Sequence, residues 1–137
     1  MTQTQANPSS LLTDANCTTV ISTTNLQRSR IFYSETLGFP IKDEKAGYGI
    51  TFKCGGTNLF VYERTEAPKA ENTVGKFEVS DVRATVVNLR QHGVKFENYN
   101  MPGLKTIDGI ATIDSIDAAW FKDPDGNIWA IDQRRRS

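Results

Sequence analysis

The chain has 137 residues and a formal net charge of zero, because 16 Lys and Arg side chains balance 16 Asp and Glu. This length fits one domain, or two small modules that share a core. The even charge balance argues against nucleic acid or an anionic membrane surface as the main partner, since both select basic surfaces. No stretch reaches the roughly 18 apolar residues that span a bilayer, so no membrane partner is expected.

The two cysteines and the chain ends suggest a cellular compartment. Cys17 and Cys54 form no CxxC pair, and the N-terminus lacks a basic segment followed by an apolar one. We therefore expect a cytoplasmic protein with two reduced, half-buried thiols, and a disulfide is the alternative. Residues 1–15 are polar and are predicted to form a flexible arm, and residues 134–137 a short basic tail.

The first half, residues 16–64, is predicted to fold as strands around one helix. Cys17–Thr24 is rich in β-branched residues and indicates a strand. Asn25 is a suitable N-cap for an amphipathic helix that ends before Gly38. The apolar face predicted for this helix comprises Leu26, Ile31, Phe32 and Leu37. Two further strands, Tyr48–Lys53 and Asn58–Glu63, flank a glycine-containing hairpin turn.

The second half, residues 73–133, follows a polar linker at 65–72 and repeats the first pattern. Its predicted strands are Val74–Ser80, Lys95–Tyr99, Ala111–Ile113, Ala118–Lys122 and Asn127–Gln133. Asp81 is the predicted N-cap of a second helix, which Gly93 ends. Its predicted apolar face comprises Val82, Val86, Val87 and Leu89. A type I turn is expected at Asp123-Pro124-Asp125-Gly126.

The two halves are related by constant offsets, which indicates an internal repeat. Thr18 and Asn25 match Val74 and Asp81 at an offset of 56 residues, and the closing hairpins match at an offset of 70. Each half is therefore predicted to be a β-α-β-β-β module. A single module leaves one face of its sheet uncovered. Two modules are therefore expected to pair with each other, with their helices on the outside.

Three segments carry a resemblance to a known family. They are Asn25–Tyr33 followed by Leu37-Gly38-Phe39, Phe77–Asp81, and Trp120–Trp129. In this order they resemble the vicinal oxygen chelate superfamily, which includes glyoxalases, bleomycin resistance proteins and dioxygenases. The resemblance implies an α+β fold in which two β-α-β-β-β modules form a curved mixed sheet around a central cavity. It also implies a homodimer, and it leaves the reaction open because this fold hosts several chemistries.

The resemblance also implies four metal-ligand positions. In metal-dependent members the first ligand of each module lies seven residues before the N-cap, which corresponds to Thr18 and Val74 here. The last strand of the second module normally supplies a Glu four residues after the glycine of the turn, where this chain has Ala130. The repeat offset puts the equivalent position of the first module at Phe60. Apart from a weak Thr hydroxyl, these side chains donate nothing to a divalent metal, so we predict no metal and no cofactor.

Other residues do not supply the missing donors. The single histidine, His92, falls at the end of the second helix and is interpreted as a surface residue. A one-residue slip in register gives an equally poor set, namely Cys17, Thr19, Leu59, Val61, Gly75, Trp129 and Ile131. No catalytic residue is predicted. The candidate acids and bases, which form no evident dyad, are Glu63, Glu78, Asp132, Tyr62 and Lys76.

The favoured hypothesis is a metal-independent protein that binds a small hydrophobic or aromatic molecule between the sheets. The predicted ligand-binding residues are Thr18, Phe60, Val74, Ala130, Phe52, Tyr62, Tyr48, Trp120, Tyr99 and Met101. The loop from Tyr99 to Ala111 is either a lid over this pocket or a surface excursion. Two alternatives remain: an enzyme of the same fold acting on a small organic substrate, and a module for interactions whose cavity is packed solid.

Overall fold

The computed structural model describes residues 12–69 and 71–133; the tail at 134–137 and most of the arm predicted at 1–15 lie outside these ranges. The first module contains β1 (Thr19–Thr23), α1 (Leu26–Ile31), a π-helical turn (Phe32–Thr36), β2 (Ile41–Lys45), β3 (Gly49–Cys54) and β4 (Thr57–Glu63). The second contains β5 (Thr73–Val79), α2 (Val82–Gln91), β6 (Asn100–Met101), β7 (Leu104–Lys105), β8 (Ile110–Ile113), β9 (Ile116–Lys122) and β10 (Ile128–Gln133).

The two modules have the same sheet topology. The first sheet has the strand order β1-β4-β3-β2, and the second has the equivalent order β5-β10-β9-β8. In each, the first strand runs parallel to the last, and the other pairs are antiparallel. Contacts between β1 and β5 join the sheets edge to edge. This arrangement confirms the predicted repeat and the mixed α+β fold.

Both helices begin as the sequence predicts. The side chain of Asn25 accepts a hydrogen bond from the backbone N–H of Arg28 at 3.0 Å, and that of Asp81 accepts one from Ala84 at 3.0 Å. Such caps satisfy a backbone donor that the first helical turn leaves free. The first helix differs from the prediction in its second half, where a hydrogen bond from Leu37 N–H to the Phe32 carbonyl widens it into a π-helical turn.

A single apolar core joins the helix-facing sides of the two sheets. Its members come from both modules, among them Ile21, Phe52 and Val61 from the first and Trp129 and Ile131 from the second. Strand alternation puts every second residue on this side. The helices close it with side chains that include the buried Tyr33, Val82, Val86 and Leu89.

Several sequence predictions are wrong in detail. Ile31 and Val87 are 43% and 55% exposed, so neither belongs to a buried helix face. Cys17 is exposed, although Cys54 is partly buried, and the two thiols are free. The strand predicted at 95–99 is reduced to one bridge between Phe96 and Phe121. The sequence did not predict the polar edge strand β2. Alternation of apolar and polar residues is the signal for a strand, and an exposed edge strand lacks it.

A hydrogen-bond network, which we call the latch, ties the turn of residues 123–127 to the first module. The Asp125 carboxylate accepts hydrogen bonds from the Thr23 hydroxyl at 2.5 Å and the Thr24 backbone N–H at 3.1 Å. It also forms an ion pair with Arg28 at 2.5 Å. The Asn127 carboxamide donates to the Ser22 carbonyl at 3.2 Å. Two of the three segments that carry the family resemblance therefore meet in space and hold the modules together.

The buried centre of the latch is the Asp123 carboxylate. It accepts hydrogen bonds from the Tyr33 hydroxyl at 2.6 Å, from the Asn127 carboxamide at 2.9 Å, and from two backbone N–H groups of its own turn. The Tyr33 hydroxyl in turn accepts one from the Trp129 indole at 2.9 Å. Burial raises the pKa of Asp123, while these donors act in the opposite direction. A buried carboxylate is tolerated here because its oxygens are hydrogen-bonded.

We expect Tyr33→Phe to lower the free energy of unfolding by about 1–3 kcal/mol, because it leaves the buried Trp129 N–H without a partner and removes one of the two side-chain hydrogen bonds to Asp123 Oδ2. Urea denaturation followed by circular dichroism measures this loss. The matched control is Tyr48→Phe, because the Tyr48 side chain is 58% exposed. This substitution should change the free energy of unfolding by no more than about 0.5 kcal/mol. Equal stability of the two variants would contradict the role given to the latch.

Candidate functional site

The side of each sheet opposite the core forms a second surface, which we call the inner face. By strand alternation it carries the even-numbered residues of β1, β4, β5 and β10. They include Val20, Phe60, Tyr62, Val74, Lys76, Ala130 and Asp132. Val20 is 55% exposed, and Phe60, Tyr62 and Val74 are partly exposed. The inner face therefore exposes apolar area at Val20, Phe60 and Tyr62, whereas Ala130 is buried and Val74 packs against the core.

Three rings form an aromatic platform on the inner face of the first module. Phe60 lies between Tyr62, which is stacked at 6.3 Å between ring centroids with an interplanar angle of 11°, and Tyr48 at 5.6 Å. The Phe60 ring extends over Gly49 of the neighbouring strand, where an added Cβ would lie 2.6 Å from its Cζ atom. Gly49 therefore allows the ring to lie against the sheet. The sequence analysis did not identify this supporting glycine.

The inner face of the second module is more polar. Ala130 lies in register between Lys76 on β5 and Trp120 on β9, so a small residue is flanked by two large ones. The Lys76 ammonium pairs with the Asp132 carboxylate at 2.8 Å. Tyr99 packs edge-on against Trp120 with ring centroids 5.6 Å apart. In this module the buried Ala130, which we call the depression because its neighbours are larger, lies between the aromatic pair and the ion pair.

The remaining predicted site residues do not all join this surface. Phe52 is fully buried on the opposite side, against Tyr33 at 5.4 Å between ring centroids, so its assignment to the binding surface is wrong. Phe52 lies directly opposite Leu59 on the neighbouring strand, and residues opposite each other point to the same side of a sheet. Because Leu59 faces the core, Phe52 does too. Thr18 is exposed just before β1. Met101, which is 51% exposed, belongs to the small β6–β7 hairpin formed within the predicted lid segment.

The four positions equivalent to metal ligands do not fit a metal ion. Phe60, Val74 and Ala130 have hydrocarbon side chains, and Thr18 offers one neutral hydroxyl, whereas zinc and related ions need imidazole, thiolate or carboxylate donors. Within residues 12–69 and 71–133, no three His, Cys, Asp or Glu side chains come together in a group able to hold a metal. His92 caps the end of α2, with Nδ1 2.9 Å from the Asn88 carbonyl oxygen.

The titratable groups of the inner face do not form an acid–base pair suited to catalysis. The hydrogen bond to Asp132 raises the pKa of Lys76, so its ammonium stays charged at neutral pH and is a poor general base. The Asp132 carboxylate is held in the same ion pair. Glu63 and Glu78 are exposed. The geometry offers a surface for binding, with a fixed positive charge at Lys76.

The family follows from comparison with known proteins. A profile described as the Glyoxalase/Bleomycin resistance protein/Dioxygenase superfamily matches residues 17–131. The chain belongs to this superfamily. No curated protein matches the sequence significantly. In the described part of the chain, no helix is long and apolar enough to cross a membrane.

Several solved structures have the same fold. A glyoxalase family protein from Bacillus anthracis has 16% identity and a TM-score of 0.71, with 89% of this chain and 96% of that chain covered. A lactoylglutathione lyase from Agrobacterium tumefaciens has 17% identity and a TM-score of 0.68, with 88% and 93% covered. A superfamily member from Alicyclobacillus acidocaldarius has 16% identity and a TM-score of 0.65, with 90% and 93% covered. At these identities the similarity establishes the fold alone.

We expect Gly49→Ala to destabilise the protein by about 1–3 kcal/mol, because the new methyl group overlaps Phe60 and the Val61 carbonyl oxygen, which lies 2.8 Å away. Chemical denaturation measures the loss. The control is Gly56→Ala, where the added methyl meets open space and φ is not positive. That variant should be as stable as the wild type or slightly more stable. A Gly49→Ala protein of unchanged stability would contradict the position of the Phe60 ring.

Proposed function

We propose that this protein binds a small organic molecule with an aromatic or aliphatic body on the inner face, without a metal ion, and so sequesters or carries it. The aromatic platform is the observation that carries the proposal. One of the four metal-ligand positions is occupied by Phe60, the central ring of three. Exposed aromatic faces that lie in van der Waals reach of one another favour flat apolar ligands.

The charged residues refine the expected ligand. Lys76 is 57% exposed and borders the depression at Ala130 from the β5 side. The Lys76 ammonium has N–H donors besides the one that pairs with Asp132, and these fit a carbonyl or hydroxyl oxygen of a ligand. The described part of the inner face thus fits a molecule with an apolar body and one hydrogen-bond acceptor.

We further propose that the protein is a cytoplasmic homodimer whose second copy covers part of the inner face. Val20, Tyr48 and Met101 are each more than half exposed, and contact with a second copy would remove their apolar area from water. A reducing compartment fits the two free cysteines. A monomer in sedimentation-velocity experiments at micromolar concentration would contradict the dimer.

We expect Phe60→Ala to weaken ligand binding about tenfold, because it removes the central ring of the platform. Wild-type protein is screened with phenols, indoles and naphthalene derivatives, and the Kd of each compound that binds is measured by isothermal titration calorimetry. The matched control is Val87→Ala, an exposed position on α2, which should leave Kd unchanged. The proposal fails if no compound binds, or if the two variants weaken binding equally.

We expect Zn²⁺, Ni²⁺, Mn²⁺ and Fe²⁺ to leave Tm unchanged, because a ligand stabilises only when it binds the native state. Thermal unfolding with and without each metal, together with elemental analysis, measures this. The positive control combines T18H, F60E, V74H and A130E, which puts imidazole and carboxylate donors at the four positions and should give zinc-dependent stabilisation. Stoichiometric metal in the wild-type protein would favour an enzyme instead.

A further inference from the structure

A cavity of about 540 Å³ lies on the helix-facing side of the sheets, between the two modules. Most of its lining residues lie on the helix-facing side of the strands, and the lining also includes Asn58, Lys76 and Glu78, which alternate toward the inner face. Its apolar wall is formed by Leu37, Phe39, Leu59, Phe77, Leu89 and Trp129. Pockets that hold small organic molecules have volumes of roughly 300–1,000 Å³, so this one is large enough for such a ligand. Leu37, Phe39, Phe77 and Trp129 belong to the segments that carry the family resemblance, but the sequence did not predict a cavity on this side of the sheets.

One wall of the cavity is a row of aromatic rings that runs into the core. Phe77 stacks on Trp129 with ring centroids 4.6 Å apart and an interplanar angle of 23°, and Phe39 packs on Phe77 at 5.2 Å. Gly75 makes room for this row, because a Cβ there would lie 2.7 Å from the Trp129 ring. The rings are therefore held in place by the backbone before any ligand arrives, which lowers the cost of ordering them.

The polar side chains on the helix-facing side of this cavity are neutral. Lys76 and Glu78 contribute to the wall from β5, but alternation directs their side chains to the inner face, where Lys76 pairs with Asp132. On the cavity side lie the hydroxyl of Thr19 and the thiol of Cys54. Within the described residues the Thr19 hydroxyl makes no side-chain hydrogen bond. Burial raises the pKa of the Cys54 thiol to about 11, so this thiol is uncharged at neutral pH.

We propose that this cavity between the modules is a second binding site, distinct from the inner face, for a neutral aromatic molecule. The ligand's ring system packs along Phe39 and Phe77, and one polar group of the ligand hydrogen-bonds to the Thr19 hydroxyl. A charged ligand is disfavoured because the cavity side chains offer no opposite charge to offset its desolvation.

The test uses the full-length wild-type protein and N-phenyl-1-naphthylamine, a neutral aromatic fluorophore with one N–H group. N-ethylmaleimide alkylates the two thiols at mildly alkaline pH, and peptide mass spectrometry follows each of them separately. At a free probe concentration of ten times its Kd, alkylation of Cys54 should slow about tenfold, because only about one tenth of the sites remain unoccupied. Cys17, which is exposed and outside the cavity, is the internal control and should react at an unchanged rate.

Two variants separate this site from the inner face. Thr57→Phe adds a ring at the exposed rim of the cavity and should weaken probe binding at least fivefold, whereas Lys53→Phe, an exposed position on the adjacent strand, should not. Phe60→Ala should leave the protection of Cys54 intact even if it abolishes binding on the inner face. The proposal is overturned if the probe does not bind, if it binds without protecting Cys54, or if Phe60→Ala removes that protection.

Discussion

The buried carboxylate of Asp123 is the constraint on which the arrangement of the two modules depends. A carboxylate out of water is costly unless its oxygens accept hydrogen bonds, and here the donors come from its own turn and from Tyr33 of the other module. The neighbouring Asp125 repeats this coupling with Thr23 and Arg28. Separation of the modules would remove the Tyr33 hydrogen bond from Asp123 and the Thr23 and Arg28 contacts from Asp125, so the network favours one relative position of the sheets.

Both candidate binding surfaces follow from this coupling. With the sheets held edge to edge, β1 and β5 meet at the junction, and the inner face extends from the aromatic platform of the first module to the depression at Ala130 in the second. On the other side of the sheets, the same junction leaves a gap between the helices, which is the cavity lined by Phe39 and Phe77. One junction thus creates two different environments, the inner face with its aromatic platform and the cavity with its row of aromatic rings.

The replacement of metal donors by Phe60, Val74 and Ala130 changes what the inner face can do. A metal site needs several donors converging on one point, whereas a stacking surface needs only flat apolar area. The ring of Phe60 lies on the sheet because Gly49 has no side chain. The common fold is therefore compatible with binding and does not by itself imply any reaction of the metal-dependent members.

The sequence by itself determined the elements and the family. The N-caps Asn25 and Asp81, the turn at Asp123 and the constant offsets between the halves are local signals, because capping, turn geometry and strand alternation act over a few residues. It also determined the lack of metal donors, which depends on residue type alone. Tertiary structure decided the side of the sheet to which Phe52 points, the exposure of Val87 and the presence of the cavity on the helix-facing side. Such features depend on which distant residues pack together, and a shift of one residue in strand register reverses the face that a side chain occupies.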